Sequence, residues 1–469
     1  MISGEAKSIA HAIAELANLT DFADRPALCE PSGRSVTYAQ LAEEIWDGKL
    51  RGFENTLEML VFSRSLDCVV RYLALIAKGC TVLVLPQGLK PMAVKQMISE
   101  YQPRAIHGQA SDLKQLDFEL NNLDGDLSEV CLHYDKAAPT CETQQLLLLT
   151  SGSTGSSRAV RLSNEAVLIN ARDISTALGI SPENVGLTSL PLFYTYGLSV
   201  LHSHLLSGAQ IYCSAHEVLQ PGFRELLAMT KISSLSGVPF SYQQFERLGL
   251  IDNPPPFLTA FTQAGGKLEA ERVRSIARRL NTSHRELFVM YGQTEATARI
   301  CVLPSHLAAD NPDSVGFAVD SGRLSIGSSN SPDEVIFTGP NVMLGYADKF
   351  ADLSKGDQLR GSLETGDLGS IREGLLYLHG RIKRIAKLNG IRVSLDDVEQ
   401  ELSRFGNFAA IHLDGKIRLY TEEEISLELI RDALLARVQI RNHDLVLERV
   451  STLPRLPSGK IDYRQLEER

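Results

Sequence analysis

The chain has 469 residues, enough for about three folding units, and its 43% apolar and 22% charged residues match a soluble globular protein. That composition excludes disordered, collagen-like and membrane-embedded classes. A net charge of −10 argues against nucleic acid as the main partner, because a duplex binder concentrates basic residues to displace counterions.

Met1 to Leu19 lacks the basic start and long apolar run of a secretory signal, so a cytoplasmic location is expected. The apolar stretch Leu57 to Pro86 is interrupted by Arg64, Asp67, Arg71 and Lys78, which predicts buried strand, helix and strand and no membrane span. Further strand-like runs are Thr81 to Leu85, Gln145 to Leu149, Ala209 to Cys213 and Glu286 to Met290. Helical periodicity lies between them, as at Val167, Ala171, Ile174 and Leu178. This alternation predicts an α/β fold of stacked layers with largely parallel sheets. Seven cysteines with no CxxC pair read as reduced thiols, and no structural metal is expected.

Directly after the run ending at Leu149 comes Thr150-Ser151-Gly152-Ser153-Thr154-Gly155-Ser156-Ser157-Arg158. Small and hydroxylated residues let backbone N–H and side-chain O–H groups converge on an anion, and Arg158 adds a fixed charge, so the segment reads as a phosphate cradle. It lacks the GxxxxGK[ST] of the common P-loop, and a flexible Ser/Gly surface loop is an equal reading of the segment alone. Tyr291-Gly292-Gln293-Thr294-Glu295 follows another apolar run. Its ring can stack on a base, Thr294 can donate to a phosphate oxygen and Glu295 can hold Mg²⁺, although a polar turn is the plainer reading in isolation.

From about residue 310 the apolar runs shorten, as in a β-rich subdomain spanning roughly 310–380. Within it, Asp367 with Arg381 could hold a ribose diol, or could belong to ordinary turns. Ser394 and Asp397 suggest the start of a helix on which Val398 and Leu402 share a face. These shifts of texture predict a large N-terminal domain over 1–380, a hinge at 381–383 and a small mobile C-terminal α+β domain over 384–469. Near the end, Leu456-Pro-Ser-Gly-Lys460 presents one ammonium on a tight turn, suited to an oxyanion, or to solvent near a chain terminus.

In this order the four segments resemble the core motifs of the adenylate-forming superfamily, which includes acyl-CoA synthetases, adenylation domains of peptide synthetases and luciferases. The resemblance extends over nearly the whole chain, through Ser35 to Leu41, Leu190 to Leu198, Gly237-Val-Pro239, Ala264-Gly-Gly266, Gly339 to Tyr346 and Gly380 to Lys387 with Gly390. Around Tyr196 and Met290 to Arg299 it is similar to stand-alone bacterial members. It implies ATP-dependent conversion of a carboxylic acid to an acyl-adenylate, release of pyrophosphate, and transfer of the acyl group to a thiol.

The resemblance also assigns expectations to residues. Thr150 to Gly155 with Arg158 would hold the β- and γ-phosphates, Gly265 and Gly266 would line the adenine site with Tyr291 against the ring, and Gly292 and Gln293 would complete that loop. Thr294 would touch the α-phosphate, Glu295 would bind Mg²⁺, and Asp367 with Arg381 would hold the ribose. Lys460 would bridge the α-phosphate and the attacking carboxylate, Lys383 would be the hinge, and Lys387 with Gly390 would reach the thiol channel. Tyr194, Tyr196, Gly197, Val238 and Ala264 would border the acyl pocket. Where the family more often has Pro-Lys-Gly this chain has Ser157-Arg158-Ala159, and Tyr194 stands where related ligases often carry His. Amino-acid-activating relatives usually place an Asp after the Phe matching Phe193, so an aliphatic or aromatic acid is expected before an α-amino acid. Coenzyme A is the favoured acceptor, with the phosphopantetheine arm of a separate carrier protein, or an amine, as alternatives. A nucleotide-binding interaction protein without catalysis is the alternative from another class.

Overall fold

A computed structural model describes residues 8–19, 21–46, 56–116, 121–122, 127–132, 144–150, 158–329, 331–388, 391–435, 445–456 and 459–468. Among these residues the apolar runs become strands of two large sheets. One sheet has thirteen strands. Its parallel part joins Pro26–Cys29, Gln210–Tyr212, Val185–Leu187, Ser234–Gly237, Ala260–Gln263 and Glu286–Tyr291. Beyond Glu286–Tyr291 the pairing turns antiparallel, through Cys301–Leu303, Ser314–Ala318, Leu375–Arg381, Ser362–Arg372 and Glu334–Thr338. The second sheet has eight strands, and its centre pairs Leu57–Val61, Thr81–Leu85 and Gln144–Thr150 in parallel.

The stretch that reads as strand, helix and strand folds as Leu57–Val61, Leu66–Ala77 and Thr81–Leu85. Arg64 stays near the surface by donating to the Ala215 carbonyl and to Glu217, which lets an apolar segment carry a charge. The periodicity at Val167, Ala171 and Ile174 produces helix Asn164–Leu178, in which all three are buried. Ser163 caps its start by accepting from the Ala166 N–H at 3.0 Å, and Gly179 ends it at φ +61°, a left-handed conformation that glycine adopts without strain. This helix and Thr195–Leu206 lie between the two sheets. Their apolar faces join Leu146 and Leu148 of one sheet and Leu28 and Ile211 of the other in a continuous core. Ser394 caps helix Leu395–Leu402 as its sequence suggests, and Val398 and Leu402 are buried beneath strands Phe408–Leu413 and Lys416–Thr421.

No helix among the described residues is long and apolar enough to cross a membrane.

Burial inside the core has a consequence for acid stability. His202, on the helix between the sheets, meets the Tyr72 hydroxyl at 3.0 Å, and burial lowers its pKa to about 3. The folded-state pKa lies below the ordinary value of 6.5, so the neutral ring contributes fully above pH 6.5 and that contribution is lost as pH falls towards 3. His202→Gln keeps a polar partner for Tyr72 and removes the titration. Thermal or urea unfolding across pH 4 to 7 is expected to show a shallower acid loss in the variant, by roughly 1 kcal/mol per pH unit. Equal slopes would mean that the ring titrates normally.

Candidate active site

The parallel strands of the larger sheet end together, and the loops that follow them carry most of the sequence motifs. This is where open α/β sheets hold their ligands, because the chain leaves neighbouring strands there to form a crevice. Gly237 ends one strand and leads to Val238, Gln263 ends the next and leads to Ala264-Gly265-Gly266, and Tyr291 ends the third and leads to Gly292-Gln293-Thr294-Glu295.

Small residues in these loops are required by close approach. A Cβ on Gly292 would sit 1.6 Å from the Ala298 carbonyl oxygen, and one on Gly197 would sit 2.2 Å from the Pro191 oxygen. Gly197 therefore serves the packing of its helix against Leu190 and Pro191. Gly265 adopts φ +80°, and its missing Cβ leaves room that Tyr194 and Val238 border at 2.7 and 3.1 Å. Gln263 donates from Nε2 to the Gly266 carbonyl at 2.8 Å, tying the base of this loop to its strand.

Asp367 is 5% exposed and pairs in register with Arg381 across two antiparallel strands. Arg381 Nε donates to Oδ1 at 2.8 Å, and the Tyr291 hydroxyl donates to Oδ2 at 2.5 Å. Burial, and then the Asp367 charge, hold the Tyr291 hydroxyl far above the ordinary phenol range, so it remains a donor. Gln293 Nε2 reaches the Thr365 carbonyl at 3.3 Å. One carboxylate is thus fixed in direction by two donors from separate strands, with lone pairs remaining for further donors.

Thr294 and Thr195 share a hydrogen bond at 2.9 Å, which links the loop to the helix between the sheets. Glu295 accepts from the Tyr346 hydroxyl at 2.9 Å through Oε1, and no described group donates to Oε2. A half-engaged carboxylate suits Mg²⁺, which is commonly held by one or two carboxylates together with phosphate oxygens and waters. No cluster of three or more His, Cys, Asp or Glu side chains fit to hold a metal occurs among the described residues. Arg158 lies 5.0 Å above the Tyr346 ring and pairs with Asp348 at 3.1 Å, so it stands next to the residue that supports Glu295.

Lys460 comes from the far end of the chain to the same crevice. Its Nζ is 5.4 Å from the centre of the Tyr194 ring, and its Cε lies 3.6 Å from where a Gly265 Cβ would be. Val238 approaches Gly459 just as closely, at 3.0 Å from the position of its absent Cβ. Tyr196 and Ala264 are buried near these groups, with the Tyr196 hydroxyl on Thr262 at 2.7 Å. Lys383 is exposed on a short turn at residues 382–384.

The structure therefore brings Tyr194, Val238, Gly265 and Lys460 together, and joins Tyr291, Asp367 and Arg381 in a second group. Thr294 and Glu295 continue from Tyr291 on the same loop. Ser151, Gly152, Ser153, Thr154 and Gly155 lie outside the described residues, as do Ser157, Gly390 and the side chains of Thr150 and Lys387. Thr150 is placed by its backbone, paired with Arg158. Two participants escaped the motif reading. Tyr346 stands at the end of the quoted Gly339 to Tyr346 block and Thr195 inside the Leu190 to Leu198 block, so membership of those blocks was the available signal for both.

The sequence matches the profile of a family described as AMP-binding enzyme over residues 17–347. A 2-succinylbenzoate–CoA ligase of Listeria monocytogenes is 24% identical over 69% of this chain and 69% of its own. A D-alanine–D-alanyl carrier protein ligase of Staphylococcus haemolyticus is 24% identical over 92% of this chain and 94% of its own. Among solved structures, the anthranilate CoA ligase AuaEII in complex with anthranoyl-AMP superposes with a TM-score of 0.78 at 18% identity, covering 98% of this chain and 96% of that one. The o-succinylbenzoate CoA synthetase MenE from Bacillus subtilis, in complex with its acyl-adenylate intermediate, gives 0.77 at 19% identity and 97% coverage of both chains. These structures share its fold.

Proposed function

The chain belongs to the AMP-binding enzyme family, within the adenylate-forming superfamily, and from that premise we infer that it activates a carboxylic acid with ATP and passes the acyl group to a thiol. The observation that carries this reading is the seat of Lys460. An ammonium delivered from the C-terminal segment enters the crevice at Tyr194 and Gly265.

In the first step a carboxylate oxygen of the acid attacks the α-phosphorus of ATP, the bond to the β-phosphate breaks, and pyrophosphate leaves. Negative charge gathers around the α-phosphate, and Lys460 with the Thr294 hydroxyl are the groups placed to stabilise it. Asp367, aimed by Tyr291 and Arg381, accepts from the ribose hydroxyls. Glu295 would hold Mg²⁺, which would neutralise phosphate charge. In the second step the thiol sulfur bonds to the acyl carbon, the carbon–oxygen bond to AMP breaks, and the thiol proton passes to solvent.

The first step needs Lys460 inside and the second needs its place vacated, so the small domain, proposed over 384–469, turns about Lys383. The neighbours of Lys383 support this pivot. Arg381 is tied to Asp367 on one side, while Arg384 is tied to Asp396 and Glu399 on the other and lies 4.0 Å over the Tyr463 ring. Only Ile382 and Lys383 separate the two anchors. Polar contacts cross the pivot, among them Lys267 with Gln400 at 2.7 Å and Gln243 with Asn407 at 3.1 Å, a kind of contact that an interface between moving domains tolerates.

Coenzyme A is the favoured acceptor, and a cytoplasmic location is part of this reading. The full-length similarity to a carrier protein ligase supports the second reading, a carrier-bound phosphopantetheine thiol. A panel of carboxylic acids assayed for pyrophosphate exchange into ATP, with hydroxylamine trapping, tests activation. Adding coenzyme A and detecting its thioester tests the acceptor. ATP binding with no exchange from any acid would support a binding protein without catalysis.

A further inference from the structure

A cavity of about 40 Å³ opens behind the crevice, between the parallel strands and the two central helices. Ser236 and Thr262 line it, near the ends of the two strands that lead into Val238 and Ala264. Tyr196, Phe288 and Met290 line it as well, and they pack in one cluster with Val238 and Ala264 of the crevice, so the cavity lies directly behind the crevice mouth. Its size is several times the minimum for one water, sufficient for a small polar group.

Most polar groups around the cavity satisfy one another. Thr262 meets the Tyr196 hydroxyl at 2.7 Å and the Ser236 hydroxyl at 2.9 Å, and His204 bonds the Val200 carbonyl at 2.9 Å and Ser234 at 3.0 Å. Arg299 differs. It lines the cavity at 2% exposure, its Nε is buried with no hydrogen-bond partner, and no described carbonyl or carboxylate accepts from its guanidinium. The Tyr196 ring lies beside it, 4.9 Å from the guanidinium carbon. Its backbone is held by Asn170 and Asn341, so the side chain is not placed there by a loose loop.

Arginine keeps its charge when buried, and a buried cation without a counterion is costly to the fold. Tyr196 and Cys301 beside it, and His204 on the same cavity wall, supply no negative charge: burial pushes the Tyr196 hydroxyl and the Cys301 thiol up and lowers His204 to about 4. We propose that Arg299 is the specificity residue for an acid substrate carrying a second anionic group at its far end, of which a dicarboxylic acid is the simplest form. One carboxylate stays at the mouth beside Lys460, and the other enters the cavity and pairs with the guanidinium. This rests on the acid-activating reading above.

The probes are linear and benzene dicarboxylic acids, each set against the monocarboxylic acid of matched length, in the pyrophosphate exchange assay. Wild type is expected to favour the dicarboxylic member of the preferred pair by about 30-fold in kcat/KM, the scale of one charge-assisted hydrogen bond. Arg299→Met should bring that ratio to about threefold or less, leave AMP binding unchanged and unfold no earlier than wild type, since an unbranched apolar side chain replaces an unpaired charge. Arg299→Lys should restore part of the preference. Equal use of both members by wild type, or an equal loss for both in Arg299→Met, overturns the assignment while leaving acid activation intact. Exchange with no acid at all overturns both readings.

Discussion

Lys460→Ala is expected to lower acid-dependent pyrophosphate exchange by about 100- to 1000-fold, the range for removing one preorganised donor from a developing charge. The lysine reaches the crevice on a turn that carries little of the core. Its stem lies against Tyr194 and the open side of Gly265, and Gly459 beside it packs on Val238. The fold should therefore survive the substitution, and AMP affinity should stay within about threefold of wild type. The two half-reactions separate a chemical role from a structural one. When synthetic acyl-adenylate and coenzyme A are supplied, thioester formation should proceed at nearly the wild-type rate, because the proposed turn of the small domain would take the lysine out of the crevice for that step. Equal loss in both half-reactions would assign Lys460 to domain docking, and no loss in exchange would remove it from the chemistry.

The division between what the sequence made readable and what it hid follows from how local each signal is. Helix Asn164–Leu178 was readable because its cap, its apolar stripe and its terminal glycine are neighbours in sequence. The crevice loops were readable because each follows an apolar strand and carries small or hydroxylated residues. The bonds that make those loops act together were not, since Tyr291 and Asp367 are 76 residues apart and Thr195 and Thr294 are 99 apart. Nothing in the pattern around either member of a pair names the other. Arg299 is the clearest case. In sequence it is one basic residue after a turn, where a solvated side chain is the usual outcome. Only the packing of Tyr196, Met290 and Thr262 from three separate elements shows that it is enclosed. The proposed hinge lies between these extremes: the resemblance suggests it at 381–383, whereas the ties of Arg381 to Asp367 and of Arg384 to Glu399 appear only in the fold.

Asp367→Ala is expected to reduce kcat/KM for ATP by about 1000-fold, because two hydrogen bonds to a charged acceptor are worth roughly 3 to 6 kcal/mol together. Part of the effect would come from the protein itself. The Arg381 guanidinium is exposed, so losing its partner costs little stability in water. The Tyr291 hydroxyl is buried and would lose its acceptor, a cost of about 1 to 3 kcal/mol. Asp367→Asn removes that ambiguity by keeping an oxygen for Tyr291 to donate to, while the amide that replaces the other oxygen repels a hydroxyl donor. It should unfold close to wild type and still lose about 100-fold. Nucleotides lacking the 2′- or 3′-hydroxyl then test the contact directly. Wild type should discriminate against them, and Asp367→Asn should accept them nearly as well as ATP, because the group that reads the diol has gone. An unchanged penalty for the deoxynucleotides in the variant would mean that Asp367 orients Tyr291 and Arg381 without touching the sugar.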